Sequence, residues 1–305
     1  MRIVFMGTPD FAVASLEALI NAGETIVAVI TTPDKPAGRG QKMHESAVKR
    51  FALSKNLPVL QPVKLKDPTF LEQLKSYQAD LQVVVAFRML PQVVWNMPKH
   101  GTINVHASLL PQYRGAAPIN HAIMAGEEFS GVTTFILQQE IDTGNILFSE
   151  KVAIGPQDDA GVLHDALMDA GARVLIKTVD ALKTGDYQAI AQDEIPEQRL
   201  KPAPKIFKED CEIDWKQPTI DVYNQIRGLS PYPAAFTNLA GKVLKIYKAE
   251  KGEPIGEAPG EFQSDGKTYL RFATKDGSLH ILSLQLEGKK KMGVEEFLRG
   301  YRFTE

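Results

Sequence analysis

Three apolar runs constrain this chain most: residues 2–6 (RIVFM), 25–31 (TIVAVIT) and 81–87 (LQVVVAF). A strand with one wet face alternates apolar and polar residues. A run without alternation is buried on both faces, as in the centre of a parallel sheet. Between the runs the apolar spacing turns helical. Gly7-Thr8-Pro9-Asp10 opens the first helix: Thr8 is expected as N-cap, Pro9 at the first helical position, Asp10 beside the positive helix end. Gly23 is placed to close it. Further helices are predicted at 45–55, 67–77 and 161–184, and further strands at 59–60, 102–106, 132–138 and 146–154. Strands alternating with helices predict an α/β fold, a doubly wound, mostly parallel Rossmann-like sheet. GTPDF lacks the Gly-x-Gly-x-x-Gly spacing, so a dinucleotide is not implied.

The pattern changes near Ala189. Residues 1–189 are expected to form the first domain, 190–208 a polar, proline-bearing linker, and 209–305 a second domain. That domain shows one short helix at 220–229 and β-rich runs at 234–239, 242–249, 261–263, 269–273 and 279–286. Short strands separated by Gly and Asp turns predict a small barrel or sandwich, with a five-stranded OB-like β-barrel as the expectation; the pattern alone does not separate it from other small β folds. A net charge of -2 gives no general attraction to polyanions, so any nucleic-acid contact must come from local basic patches. The single cysteine, Cys211, excludes an internal disulfide and is expected to be a structural thiol. No apolar run approaches membrane-spanning length, so a cytoplasmic protein with no membrane contact is expected, and a monomer.

The stretch INVHASLLPQYRGAAPIN (103–120) carries the chemistry. Residues two apart on a strand share a face, so Asn104 and His106 point together at the C-terminal edge of the sheet, where α/β folds bind ligands. EIDTGNI (140–146) offers Asp142 in a tight turn at a strand edge, where it could orient His106. An amide donor, an imidazole and a carboxylate suit addition to a carbonyl, where an oxyanion forms. No Ser or Cys sits in a nucleophile elbow, so the attacking group must come from a second substrate. No His, Cys and carboxylate set has metal-ligand spacing. The remaining histidines, His44, His100, His121, His164 and His280, are expected on surfaces, turns or packed helices.

Taken together, NVHASLLPQYRG and DTG resemble the 10-formyltetrahydrofolate-dependent formyltransferases, whose signature is N-x-H-x-S-L-L-P-x-x-R-G. The resemblance implies catalytic roles for Asn104, His106 and Asp142 and a folate-contacting stretch at Ser108, Leu109, Leu110 and Pro111. It also implies that Phe87, Arg88, Met89 and Leu90 border the pterin. Ala107 stands where the family often has Gly, and AFRMLP is one residue shorter than the common A-Y-G-x-x-L-P form. The implied formyl donor is 10-formyltetrahydrofolate, with no metal. FMGTPDFA, TTPDKPAGRGQK and SLQLEGKKKMGVEEFLRG resemble the members that act on initiator methionyl-tRNA. Phosphates would then meet Lys35, Arg39 and Lys42 in the 33–49 loop, and Lys242, Lys245, Lys248, Lys289 and Lys290 in the second domain. A strand period of two predicts Lys242 and Lys248 on one face and Lys245 on the other. A sugar-nucleotide N-formyltransferase is the alternative with the same chemistry. A non-catalytic nucleic-acid binder would have no need of the Asn104, His106 and Asp142 set.

Overall fold

Apolar runs become the middle of a seven-stranded sheet in a computed structural model that describes residues 1–37, 42–192 and 199–303. In chain order the elements are β1 (Arg2–Gly7), α1 (Asp10–Asn21), β2 (Thr25–Ile30), β3 (Lys35–Ala37), β4 (Lys42–His44), α2 (Ala47–Ser54), β5 (Val59–Leu60) and α3 (Pro68–Ser76). Then follow β6 (Leu81–Val85), α4 (Gln92–Trp95), β7 (Thr102–His106), α5 (Pro118–Met124), β8 (Phe129–Ile136), β9 (Ile146–Ala153) and α6 (Ala160–Thr184). The sheet order is β5-β2-β1-β6-β7-β8-β9. Strands β5, β2, β1, β6 and β7 are parallel, and β8 runs antiparallel to β7. From β1 the chain moves out through β2 to β5, then returns to β6 and β7 on the other side. The reversal puts a crevice at the carboxyl ends of β1 and β6, beside β7. Ile3, Phe5, Val83 and Ile103 have no exposure, nor do Met6 and Ile30. Both faces are therefore covered, which explains the missing alternation.

Two local expectations change. Thr8 does not cap α1; extended backbone continues through Pro9 (φ -82°, ψ 177°), which occupies the N-cap without a side-chain bond. The 33–49 loop contains a hairpin, with Lys35 opposite His44 and Pro36 opposite Met43. Its polar composition and short strands hide it from periodicity. Ser46 then caps α2 by accepting from the Lys49 backbone N–H at 3.0 Å.

The chain divides into two units. The first comprises 1–115, 130–152 and 164–202; the second comprises 116–129, 153–163 and 203–305. Composition along the chain separates the ends of these units but not the two inner segments. Side-chain bonds tie both segments to the second unit: Asn120 Nδ2 donates to the Gly228 carbonyl (2.7 Å), and Arg227 Nη1 to the Asp158 carbonyl (3.0 Å).

The second unit continues with α7 (Thr219–Leu229), β10 (Ala235–Leu239), β11 (Lys242–Gly252), β12 (Phe262–Ser264), β13 (Leu270–Ala273), β14 (Ser278–Leu286), β15 (Met292–Gly293) and α8 (Val294–Gly300). Its antiparallel sheet, ordered β10-β11-β14-β13-β12 with β15 on β14, is a half-barrel around a core that includes Trp215 stacked on Phe272. Cys211 is buried there and donates to the Phe207 carbonyl at 3.3 Å.

A bulge in β11 overturns the expected lysine faces. Register shifts between Ile246 and Lys248, and again between Lys248 and Ala249. Before the bulge Leu244 and Ile246 are buried; after it Ala249 is. The extra residue inverts the alternation. Lys248 therefore shares the outward face with Lys245, while Lys242 has the core-facing parity but is exposed at the strand start.

Candidate active site

The carboxyl end of β7 sets the first two groups. Asn104 lies between Val84 of β6 and Phe135 of β8, and His106 lies opposite Thr133. Val105, pointing the other way, is buried. Among the described residues the Asn104 side chain has no hydrogen-bond partner, which leaves its amide N–H groups for a ligand. His106 is 7% exposed. Its Nε2 lies 2.9 Å from the Tyr113 carbonyl. A carbonyl only accepts, so Nε2 carries a hydrogen. Nδ1 is therefore the ring atom left to work, and it faces Asp142 Oδ2 at 3.9 Å.

Asp142 is 9% exposed and sits in the left-handed region at φ 54°. Its carboxylate accepts the Gly115 N–H at 3.0 Å. The turn is tight: a Cβ on Gly144 would lie 1.7 Å from the Ile136 carbonyl oxygen, so only glycine fits. The loop after β7 is pinned from beneath. Thr133 Oγ1 donates to the Ser108 carbonyl (2.7 Å) and accepts the Leu110 N–H (3.1 Å). Tyr113 (φ 58°) and Gly115 (φ 123°) turn the chain back over the strand end. Gln192, without any signal in the sequence, completes the set: its Nε2 donates to the Asp142 carbonyl at 3.1 Å and to the Gly144 carbonyl at 2.6 Å.

The expected folate-contacting residues divide. Phe87 and Arg88 are half-buried beyond the end of β6, and Met89 is exposed. Leu90 instead belongs to the apolar core with Val4, Met6 and Val94, so its side chain faces the interior. Arg88 donates to the Pro62 and Val63 carbonyls, and burial pushes its guanidinium below the usual arginine value. Leu109 and Pro111 are half-buried, whereas Ser108 and Leu110 are buried. Ser108 Oγ is already committed to the Gln112 carbonyl (2.7 Å).

Of the expected tRNA contacts, Lys35 is exposed on β3 and lines a cleft of about 350 Å³ with Thr8, Asp10, His44 and Arg50. Arg39 and the Lys42 side chain lie outside the described residues. In the second unit Lys242, Lys248, Lys289 and Lys290 are exposed. Lys245 is half-buried with Nζ 3.3 Å from the Pro233 carbonyl. Lys291 lies over the Tyr247 ring at 4.3 Å, and Lys290 is 3.9 Å from Glu296. Among the described residues no group of three or more His, Cys, Asp or Glu is placed to hold a metal, and no helix is long and apolar enough to cross a membrane.

Comparison with known proteins gives two family matches: a formyl transferase model over residues 1–179 and a formyl transferase C-terminal domain model over residues 205–302. A methionyl-tRNA formyltransferase of Bacteroides fragilis is 53% identical over 100% of this chain and 96% of its own length. Another protein of that name, from Parabacteroides distasonis, is 55% identical over 99% of this chain and 96% of its own. Among solved structures, an N-formyltransferase from Helicobacter canadensis, in complex with folinic acid and dTDP-3-aminofucose, superposes with a TM-score of 0.68. It is 22% identical, over 95% of this chain and 99% of that one, a likeness of fold alone.

Proposed function

The chain belongs to the formyl transferase family, and from that premise we propose that it transfers the formyl group of 10-formyltetrahydrofolate to the α-amine of methionine on initiator tRNA. The observation that carries this reading is more than 50% identity, end to end, with proteins named for that activity.

The amine lone pair forms a bond to the formyl carbon, and the carbonyl π pair moves onto its oxygen. Asn104 supplies a neutral N–H to that oxygen. In the imidazolium form, His106 gives one N–H to the Tyr113 carbonyl and keeps the other, on Nδ1, for the oxyanion. Asp142, 3.9 Å away, carries the compensating charge and orients the ring. The bond to the folate nitrogen then breaks, its pair staying on that nitrogen, which receives the proton the amine releases. Phe87, Met89 and Leu109 offer partly open apolar surface for the folate, together with main chain at 87–90 and 108–111. Lys35, Arg39 and Lys42 receive the acceptor arm; Lys242, Lys245, Lys248, Lys289 and Lys290 meet tRNA phosphates. In this reading the protein is a cytoplasmic monomer serving translation initiation.

Purified protein with 10-formyltetrahydrofolate should formylate charged initiator tRNA and leave amino-sugar nucleotides unmodified. Formylation of the sugar amine with no product on tRNA would replace this reading by the sugar-nucleotide alternative.

A further inference from the structure

Three consecutive residues grip the candidate site from above. The Tyr113 carbonyl accepts from His106, and the Gly115 N–H donates to the Asp142 carboxylate. Arg114, between them, reaches the same turn indirectly. Its Nε and Nη2 donate to Gln192 Oε1 at 3.1 and 2.7 Å, and the Gln192 amide donates to the carbonyls of Asp142 and Gly144. The partners settle which end of the amide is which, because a guanidinium cannot accept and a carbonyl cannot donate. Gln192 is 5% exposed, so these bonds form away from bulk water, where they hold geometry most firmly.

Asp142 sits in the left-handed region, which aspartate enters more readily than most residues with a Cβ. The Gln192 bonds to the Asp142 and Gly144 carbonyls fix the turn there. Two residues before Gln192, Ile190 pairs with Ile146 through N–H to carbonyl bonds of 2.9 and 2.8 Å, so the departing chain lies along the turn. Residues 199–201 return to the same loop. The Lys201 carbonyl accepts the Tyr113 N–H (2.6 Å), and Gln112 bonds the Arg199 carbonyl (3.3 Å) and the Lys201 N–H (2.8 Å).

We propose that Gln192 is a positioning residue for catalysis. Arg114 fixes Gln192, Gln192 fixes the Asp142 turn, and Asp142 fixes His106. The segment that leaves the first domain is then a working part of its active site. This rests on the reading of Asp142 given under Proposed function.

Gln192→Glu is the discriminating variant. It keeps the size and turns the Arg114 contact into an ion pair, but a carboxylate can donate neither bond to the turn. The expected result is a kcat lower by roughly ten- to a hundredfold, with KM for donor and acceptor and the melting temperature little changed. In an Asp142→Ala background the same substitution should cost nothing more. Wild-type kcat in Gln192→Glu, or an equal further loss on top of Asp142→Ala, would overturn the positioning role and leave the Asp142 reading intact. Full activity in Asp142→Ala alone would remove both. Should Gln192→Glu fold poorly, Arg114→Met reads the same chain by releasing the anchor of Gln192. Its kcat loss should likewise vanish in the Asp142→Ala background, and persistence of that loss would overturn the proposal.

Discussion

His106 is held by a main-chain carbonyl on one ring nitrogen and faces a carboxylate with the other. Substituting it should therefore remove chemistry and spare the fold. His106→Ala is expected to lower kcat by roughly a hundred- to ten-thousandfold, with unchanged circular dichroism; near-wild-type turnover would exclude it from the reaction. Gly144→Ala should cost the fold as well as activity, because a backbone oxygen lies where the new methyl must go and the same turn carries Asp142. A stability loss of about 1–3 kcal/mol or more is expected in urea titration. Cys211 supplies a pH test. Burial pushes its thiol up, so the folded value lies above the unfolded one. Its contribution to stability is complete below the unfolded value and is lost as pH rises through the folded one. Native protein at pH 8 should react slowly with a thiol reagent and quickly once unfolded. Asn104, His106 and Asp142 were legible because strand parity and an unusual loop string announce them. Gln192 was not: it lies 50 residues from Asp142 in an unremarkable polar segment, and only the folded chain brings them together.

At the scale of elements, capping and parity decide what a local reading can reach. Asp67 sits before Pro68, and its carboxylate accepts the N–H groups of Thr69 (3.0 Å) and Phe70 (3.3 Å) at the start of α3. Asp67→Ala should cost about 0.5–2 kcal/mol in denaturant unfolding, with Asp67→Ser recovering most of it. The buried strands were legible from their unbroken apolar runs. The antiparallel turn of β8 onto β7 and the bulge in β11 were not, since neither changes composition. The bulge matters because one inserted residue moved Lys248 to the face of Lys245.

For the whole molecule, a net charge of -2 coexists with lysines gathered on one outward face of the half-barrel. If Lys245 and Lys248 meet tRNA phosphates, each alanine substitution should reduce the slope of log affinity against log salt by roughly 0.7–0.9. The KM for the formyl donor should not move. An unchanged slope in the Lys245→Ala/Lys248→Ala double variant would remove that face from the tRNA contact. Composition alone separated an α/β first half from a β second half. It could not assign residues 116–129 and 153–163 to the second unit, because their neighbours there, such as Gly228 beside Asn120 and Arg227 beside Asp158, lie 108 and 69 residues away in the chain.

The Tyr113 carbonyl and the Gly115 N–H are main-chain atoms, and every amino acid except proline at 115 presents both. Alanine scanning is blind to them: it would report positions 113 and 115 through their side chains and backbone angles, never through the two bonds. Chemical protein synthesis offers a direct probe. An ester in place of the amide preceding Gly115 replaces that N–H by an oxygen and removes the bond to the Asp142 carboxylate while leaving every side chain as it was.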